Sequence, residues 1–257
     1  MNILLTNDDG IYADGLWALY DHLCKRHHVS VIAPDRERSA VGHGITLHQP
    51  LRAVISNING CTGYAVNGTP ADCIKIGILE ILAEKPDLVI SGINPGANVG
   101  IHINYSGTVA AAKEATLCGI KAIAVSLQGR AALHYDAAAE FATYLSGQVL
   151  EKGLPEGTFL NVNIPDMPLD LIDGIRISRQ CSSMSREHFE KRLDPDNRSY
   201  FWPRCEPPDP GNSEDVDQAA LNANHISITP IKCDTTDYGV MEELRKWDIH
   251  KGLKVEG

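Results

Sequence analysis

The sequence contains little that suggests a membrane, a nucleic acid or a metal–thiolate site. No apolar run approaches the roughly 18 residues of a membrane helix, and the first residues show no basic segment followed by an apolar stretch. Acidic residues outnumber basic ones by 33 to 23, and the resulting net charge of −10 repels a phosphate backbone. The seven cysteines form no CxxC pair, which is typical of free thiols in a reducing compartment and gives no support for a zinc cluster. We therefore expect a cytoplasmic protein whose partners include no nucleic-acid polymer and no membrane.

Common catalytic signatures are also missing. The sequence has no GxxxxGK[ST] segment and no GxGxxG after its first strand, which excludes a Walker A loop and leaves dinucleotide binding without its usual motif. Ser39 and Ser106 lie in no GxSxG elbow, so an α/β-hydrolase triad has no support. A small phosphorylated ligand stays compatible with the negative net charge, because a divalent cation and helix N-termini can reverse the local sign.

The residues that are present indicate an α/β fold. A chain of 257 residues, 43% of them hydrophobic, is long enough to bury a sizeable core. Apolar, β-rich runs alternate with helical patterns, which is typical of βαβ units around a parallel sheet. The predicted strands are 2–6, 28–33, 88–93, 121–127, 159–164 and 225–229, with a small hairpin of 54–58 and 63–66. The predicted helices are 15–27, 69–84, 106–118, 135–152 and 241–247.

The pattern changes past residue 165. The stretch 181–217 contains five prolines, five basic and nine acidic residues, for a net charge of −4, and it cannot form a core of its own. Because it also holds Phe189 and the run Tyr200-Phe201-Trp202, we predict an extended arm that packs on another surface. The chain is interpreted as one domain over residues 1–257. Its parts are an α/β core (1–165), an arm with a returning strand (166–230) and a C-terminal helix with a tail (231–257).

The first strand ends in Asn7-Asp8-Asp9-Gly10. In an open parallel sheet the carboxyl ends of the strands form the ligand crevice, so these carboxylates are candidate site residues. One interpretation is a turn, since Asn, Asp and Gly all favour turns. The other is a hard-cation site, because adjacent carboxylates repel unless a divalent metal offsets their charge, and oxygen ligands favour Mg²⁺ or Mn²⁺.

Three further segments lie at the same predicted sheet edge. Residues 34–44 form a charged loop with glycines, and residues 91–100 carry three glycines and two asparagines that would let the backbone approach a ligand closely. Residues 105–112 open a helix with hydroxyls and a glycine, which indicates either ordinary N-capping or a phosphate cradle. His43 and His102 lie in or near these loops and are either acid–base groups or solvated side chains.

At these residues the chain resembles the SurE family, stationary-phase survival proteins that act as metal-dependent nucleotidases. The resemblance runs in order from residue 2 to about residue 231. The segments that carry it are ILLTNDDGI, PDRERSAVGHGITL, VNGTPADC, SGINPGANVG, YSGTVAAAKEA, FLNVNIP, DPDNRSYFW and ISITPI.

The resemblance implies a site and a fold. It implies one divalent cation per subunit, Mg²⁺ or Mn²⁺, held by Asp8, Asp9, Ser39 and Asn94. It implies phosphate contacts from Asn94, Asn98, Ser106, Gly107 and Thr108. The implied fold is a Rossmann-like, three-layer α/β core with a mainly parallel sheet and a C-terminal β arm exchanged between subunits, giving a homodimer or tetramer. Many family members carry acidic residues where this chain has Ile101-His102-Ile103, so we expect altered electrostatics at the substrate pocket.

The implied activity is that of a phosphoric monoester hydrolase acting on nucleoside 5′-monophosphates, with nucleoside 3′-monophosphates as further candidate substrates. The attacking group is either a metal-activated water or a carboxylate of Asp8 or Asp9. One alternative is a broad small-molecule phosphatase or exopolyphosphatase that uses the same site. An alternative of another class is a non-catalytic nucleotide-sensing protein.

Overall fold

The computed structural model describes residues 1–58, 60–129, 134–183, 186–206, 213–247 and 249, without the side chains of 186, 187, 205 and 206. Asn59 of the predicted turn and the predicted tail from residue 250 onward lie outside this part of the chain. The strands are β1 (Asn2–Thr6), β2 (His28–Pro34), β3 (Ala53–Ile58), β4 (Cys61–Val66), β5 (Leu88–Pro95), β6 (Lys121–Gln128), β7 (Thr158–Pro165), β8 (Gly174–Ile177), β9 (Arg186–Leu193), β10 (Ser199–Glu206) and β11 (His225–Lys232). The helices are α1 (Asp14–Leu23), α2 (Pro70–Ile76), α3 (Gly107–Leu117), α4 (Tyr135–Lys152), α5 (Asp217–Asn222) and α6 (Tyr238–Leu244).

Within the residues that the structure describes, nine strands form one sheet, in the order β3-β4-β2-β1-β5-β6-β7-β11-β8. The run from β4 to β7 is parallel throughout, whereas β3 pairs antiparallel with β4 and β11 pairs antiparallel with β7. The chain order reverses at β1, which lies between β2 and β5. This reversal is a topological switch point, where open α/β sheets bind ligands at the carboxyl ends of their strands.

Helices cover both faces of the sheet. Because side chains alternate along a strand, Ile3 and Leu5 of β1 pack into the core under α1 and α4, while Leu4 packs into the core under α2 and α3. Strands buried on both faces explain the near-continuous apolar runs of the sequence. The predicted three-layer α/β architecture with a mainly parallel sheet is confirmed.

Several predicted boundaries differ from the structure. The first helix ends at Leu23 and not at residue 27, because the chain turns there to begin β2 at His28, whose N–H bonds the carbonyl of Met1. The predicted helix 69–84 is α2 followed by one π-helical turn, Gly77–Ile81. The last helix begins at Tyr238, three residues before the prediction, because Asp237 caps it by accepting the N–H of Val240.

The predicted arm contains an antiparallel hairpin of β9 and β10, which we call the hairpin (186–206). Its large side chains are exposed: Phe189 by 68%, Phe201 by 56% and Trp202 by 53%. Outside it, α5 and β11 return the chain to the main sheet. In the described part of the chain, no helix combines the length and apolarity that crossing a bilayer requires.

Candidate active site

The carboxyl end of β1 places Asp8 and Asp9 at the switch point. Asn7 shapes the turn, since its side chain donates to the carbonyl of Gly10 and accepts the N–H of Gly10. Gly10 has a φ of +100°, a conformation that other residues rarely adopt. Asp8 is 3% exposed, and both carboxylates line a cleft of about 430 Å³.

The cleft brings together six of the eight residues predicted for the site. They are Asp8, Asp9, Ser39, Asn94, Asn98 and Ser106. They come from four separate segments of the chain: the end of β1, the loop after β2, the end of β5 with its loop, and the N-cap of α3. Gly107 and Thr108 do not line the cleft; they contact Asp8 from behind it.

The start of α3 is packed directly against Asp8. Thr108 is fully buried and its hydroxyl donates to Oδ1 of Asp8 at 2.5 Å. A Cβ at Gly107 would lie 2.8 Å from Cβ of Asp8, so only glycine allows this approach without a shift. Ser106 caps the helix by accepting the N–H of Val109. The positive end of the helix therefore acts on Asp8 as well as on the cleft.

Burial and mutual repulsion disfavour charge on the two carboxylates. Burial raises the pKa of Asp8, and hydrogen bonds from the Thr108 hydroxyl and from the N–H groups of Thr108 and Gly107 oppose that rise. Burial, then the charges of Asp8 and Glu37, raise the pKa of Asp9 to about 7. Oδ2 of Asp9 is buried without a hydrogen-bond partner among the described residues. A bound cation would therefore stabilise the ionised form of both carboxylates.

Ser39 and Asn94 supply neutral oxygens to the same cleft. Asn94 donates from Nδ2 to the carbonyl of Gly96 at 2.6 Å, which orients its amide. Ser39 donates to Oε1 of Glu37 at 2.7 Å. Within the described ranges, no group of three or more His, Cys, Asp or Glu side chains is placed to hold a metal. The side chains of Asp8, Asp9, Ser39 and Asn94 in the cleft could hold a hard divalent cation, because such ions prefer oxygen ligands.

The side chain, the backbone N–H and the carbonyl of Asn98 all form hydrogen bonds with buried side chains of the sheet. Its Nδ2 donates to Ser126 on β6, and its backbone N–H donates to Oδ1 of Asn163 on β7. Its carbonyl accepts from the side chains of Asn161 and Asn163. The two asparagines of the FLNVNIP motif are fully buried and hold the peptide of Asn98 as a neighbouring strand would. This network fixes residues 94–100, which we call the glycine loop, above the sheet.

Six further residues line the cleft although sequence reasoning assigned no specific role to any of them: Glu37, Ala40, Pro95, Gly96, Ala97 and Tyr105. Glu37 was detectable, since it lies in the charged loop two residues before Ser39. His102 lines the cleft, whereas His43 lies away from it and bonds Oε2 of Glu114 at 2.7 Å. Their positions in the sequence did not predict which of the two histidines lies at the cleft.

Known proteins match this fold and these motifs. The family model described as "Survival protein SurE" matches residues 3–187. A 5′-nucleotidase SurE of Desulfatibacillum aliphaticivorans is 54% identical over 252 residues, covering 98% of this chain and 100% of the relative. A 5′-nucleotidase SurE of Heliobacterium modesticaldum is 48% identical over 249 residues, covering 96% and 92%. The crystal structure of the SurE protein from Aquifex aeolicus superposes with a TM-score of 0.85 at 38% identity, covering 95% of this chain and 98% of that one. On the strength of these matches and of the shared fold, the chain belongs to the SurE family.

Proposed function

We propose that the chain is a metal-dependent phosphomonoesterase that hydrolyses nucleoside 5′-monophosphates to nucleoside and phosphate. The observation that carries the proposal is the cleft at the switch point, where the buried carboxylate of Asp8, the half-buried carboxylate of Asp9 and the side chains of Ser39 and Asn94 meet beside the N-terminus of a helix. The two relatives named 5′-nucleotidase match nearly the whole chain at 54% and 48% identity, which supports this substrate class.

The chain's own residues divide the work within the cleft. Asp8, Asp9, Ser39 and Asn94 would hold one Mg²⁺ or Mn²⁺, and such an ion would supply charge compensation for the phosphoryl group and polarisation of a water. Thr108 keeps Asp8 in place through its short hydrogen bond. The candidate nucleophiles that attack phosphorus are a water molecule and the carboxylates of Asp8 and Asp9.

A second, overlapping set of residues would bind the phosphate oxygens. Asn94, Asn98, Ser106, Gly107 and Thr108 form the proposed set, and the first three line the cleft directly. The N–H groups of Gly107 and Thr108 already act on Asp8, so Asp8 and a bound phosphate would share the positive end of α3. This arrangement would bring the metal ligands and the phosphoryl group under attack to the same helix terminus.

Phosphate release tests the activity. Chelator-stripped protein is assayed on nucleoside 5′- and 3′-monophosphates, short polyphosphate and simple phosphomonoesters, with Mg²⁺ or Mn²⁺ restored. We expect metal-restored, multiple-turnover release, fastest from the 5′-monophosphates. Faster turnover of polyphosphate or of simple esters would favour a broad phosphatase, and metal binding without turnover on any compound would favour a nucleotide-sensing protein.

We also propose that the chain is a homodimer or tetramer in which the hairpin packs on a second copy, and that it is cytoplasmic. Phe201 and Trp202 of the hairpin are more than half exposed, and covering them would remove apolar surface from water. The free cysteines support the cytoplasmic location. Sedimentation equilibrium of Phe201→Asp/Trp202→Asp tests the assembly: we expect dissociation, and a mass equal to that of the wild type would contradict this interface.

A further inference from the structure

Asp217 is a fully buried carboxylate that lies outside the cleft. It is the first residue of α5, and its exposure is 0%. Oδ2 accepts the N–H of Gly100 at 2.8 Å, and Oδ1 accepts the N–H groups of Cys181 at 3.0 Å and Gln218 at 2.9 Å. One side chain thus joins the glycine loop to two segments that flank the hairpin.

Gln180 forms the second side-chain hydrogen bond to the backbone of Gly100. Its Nε2 donates to the carbonyl of Gly100 at 2.7 Å, so both backbone polar groups of Gly100 are held by side chains from the same region. Gly100 has a φ of +55° and begins the 3₁₀ turn Gly100–Asn104 that leads to Ser106. Because Gly100 joins the glycine loop to this turn, we expect a displacement of Gly100 to move Asn94 and Asn98, which precede it, and the start of α3, which follows it.

The two residues that hold Gly100, Gln180 and Asp217, lie in the two feet of the hairpin, which we define as residues 179–181 and 215–217. The feet are clamped together: the N–H of Arg179 bonds the carbonyl of Asp215, and the N–H of Asp217 bonds the carbonyl of Arg179. On the surface, Arg179 and Asp215 also form a two-point ion pair at 2.7 and 3.1 Å. The chain leaves the main body through one foot and returns through the other.

Stability alone is a weak reason to bury a carboxylate here. Burying a charge has a large desolvation cost, and apolar replacements of buried polar groups are often neutral or stabilising. What a carboxylate offers is two oxygens that accept several N–H donors in fixed directions, and here those donors belong to separate segments. The arrangement specifies where Gly100 lies relative to the feet.

We propose that Asp217 and Gln180 are positioning residues that hold Gly100, and with it the glycine loop and the start of α3, from the feet of the hairpin. Because the hairpin joins the two feet, its packing on a second copy bears on the same loop. The kinetic part of this inference rests on the proposed nucleotidase function, whereas the structural part does not.

Hydrogen exchange on the full-length protein, without nucleotide, tests the structural part. Asp217→Asn keeps the shape but replaces one acceptor oxygen by an NH₂ group. The fewest hydrogen bonds are lost when this group takes the place of Oδ2, so the N–H of Gly100 is the donor that loses its acceptor. We expect amides of residues 98–106 to exchange about tenfold faster, the order expected for losing one hydrogen bond to a charged group. Asp215→Asn, which breaks only the exposed ion pair at the same feet, is the matched control and should leave these amides unchanged.

Kinetics separate positioning from general stabilisation. With Mn²⁺ saturating, we expect Asp217→Asn to lower kcat about tenfold with a smaller change in KM, and Asp215→Asn to match the wild type. Normal kcat in Asp217→Asn, or lost kcat with wild-type exchange in residues 98–106, would overturn the proposal. If Asp217→Asn fails to fold, Gln180→Ala is measured in its place, with the same expectations. A wild type without nucleotidase activity would refute the proposed function, and exchange would still decide the structural part.

Discussion

Gly107→Ala separates the geometry of the site from the stability of the fold. Gly107 is the first residue of α3, and its backbone conformation is one that alanine adopts freely. Alanine is the better helix former by about 1 kcal/mol in a helix interior. Helix propensity alone therefore predicts no loss of stability, and any loss of function has to come from contact with Asp8.

The size of the effect follows from the distances at Gly107. A new Cβ would lie 2.8 Å from Cβ and 2.9 Å from Oδ2 of Asp8, whereas real Cβ contacts are rarely closer than 3.4 Å. Asp8 or α3 must then move by roughly 0.5 Å, and a misplacement of about 1 Å can cost about 100-fold in rate. We expect kcat/KM to fall by about 10- to 100-fold.

Gly147→Ala is the matched control for this experiment. Gly147 lies inside α4, where a new Cβ would meet nothing within 4 Å. We expect this variant to be stabilised by up to about 1 kcal/mol and to keep wild-type activity. Phosphate release is measured together with urea unfolding for both variants. A folded Gly107→Ala protein with kcat/KM within a factor of two of the wild type would refute the close packing of α3 on Asp8.

Three further changes have distinct expected outcomes. Asp9→Asn should leave under about 1% of turnover at saturating metal, because losing a metal ligand removes several kcal/mol of transition-state stabilisation, and near-normal turnover would contradict the site. Thr108→Val should lower kcat/KM by about tenfold, as a hydrogen bond to a charged group is lost, and the same steady-state assay checks it. Hydrogen bonds from His43 and Lys75 hold the pKa of Glu114 below its ordinary 4.5, so its stabilising effect is present above that pH and is lost as the pH falls through the lowered value. Urea unfolding across pH 3–6 should show a steeper acid loss for wild type than for Glu114→Gln, and parallel curves would count against the Glu114 pairing.

Local patterns were sufficient to predict most of the regular elements. Strands such as Asn2–Thr6 and the helix Tyr135–Lys152 lie where the apolar periodicity places them. The predicted boundaries were wrong where a capping side chain begins a helix or where a change of chain direction ends one. Asp237 starts α6 early, and the pairing of β2 with β1 stops α1 at Leu23. Periodicity does not report such events, because it averages over several turns.

For the candidate site as well, local sequence patterns predict some features and not others. The NDDG turn and the glycine loop are recognisable from local composition, and strand order at a switch point explains why they converge. The role of Thr108 toward Asp8 and the pairing of His43 with Glu114 join residues 100 and 71 positions apart. No spacing in the chain predicts such contacts, which depend on how helices pack against the sheet.

The amino-acid order was enough to predict the α/β class, which the fold confirms, and to indicate an oxygen-rich candidate site and an acidic stretch after residue 180, because these depend on periodicity and residue chemistry. The packed chain established which groups share the cleft, how closely α3 approaches Asp8 and which backbone groups the buried carboxylate of Asp217 binds. Those features depend on distances of a few ångströms between segments that are far apart in the chain, and only the folded arrangement of sheet, helices and hairpin feet sets such distances.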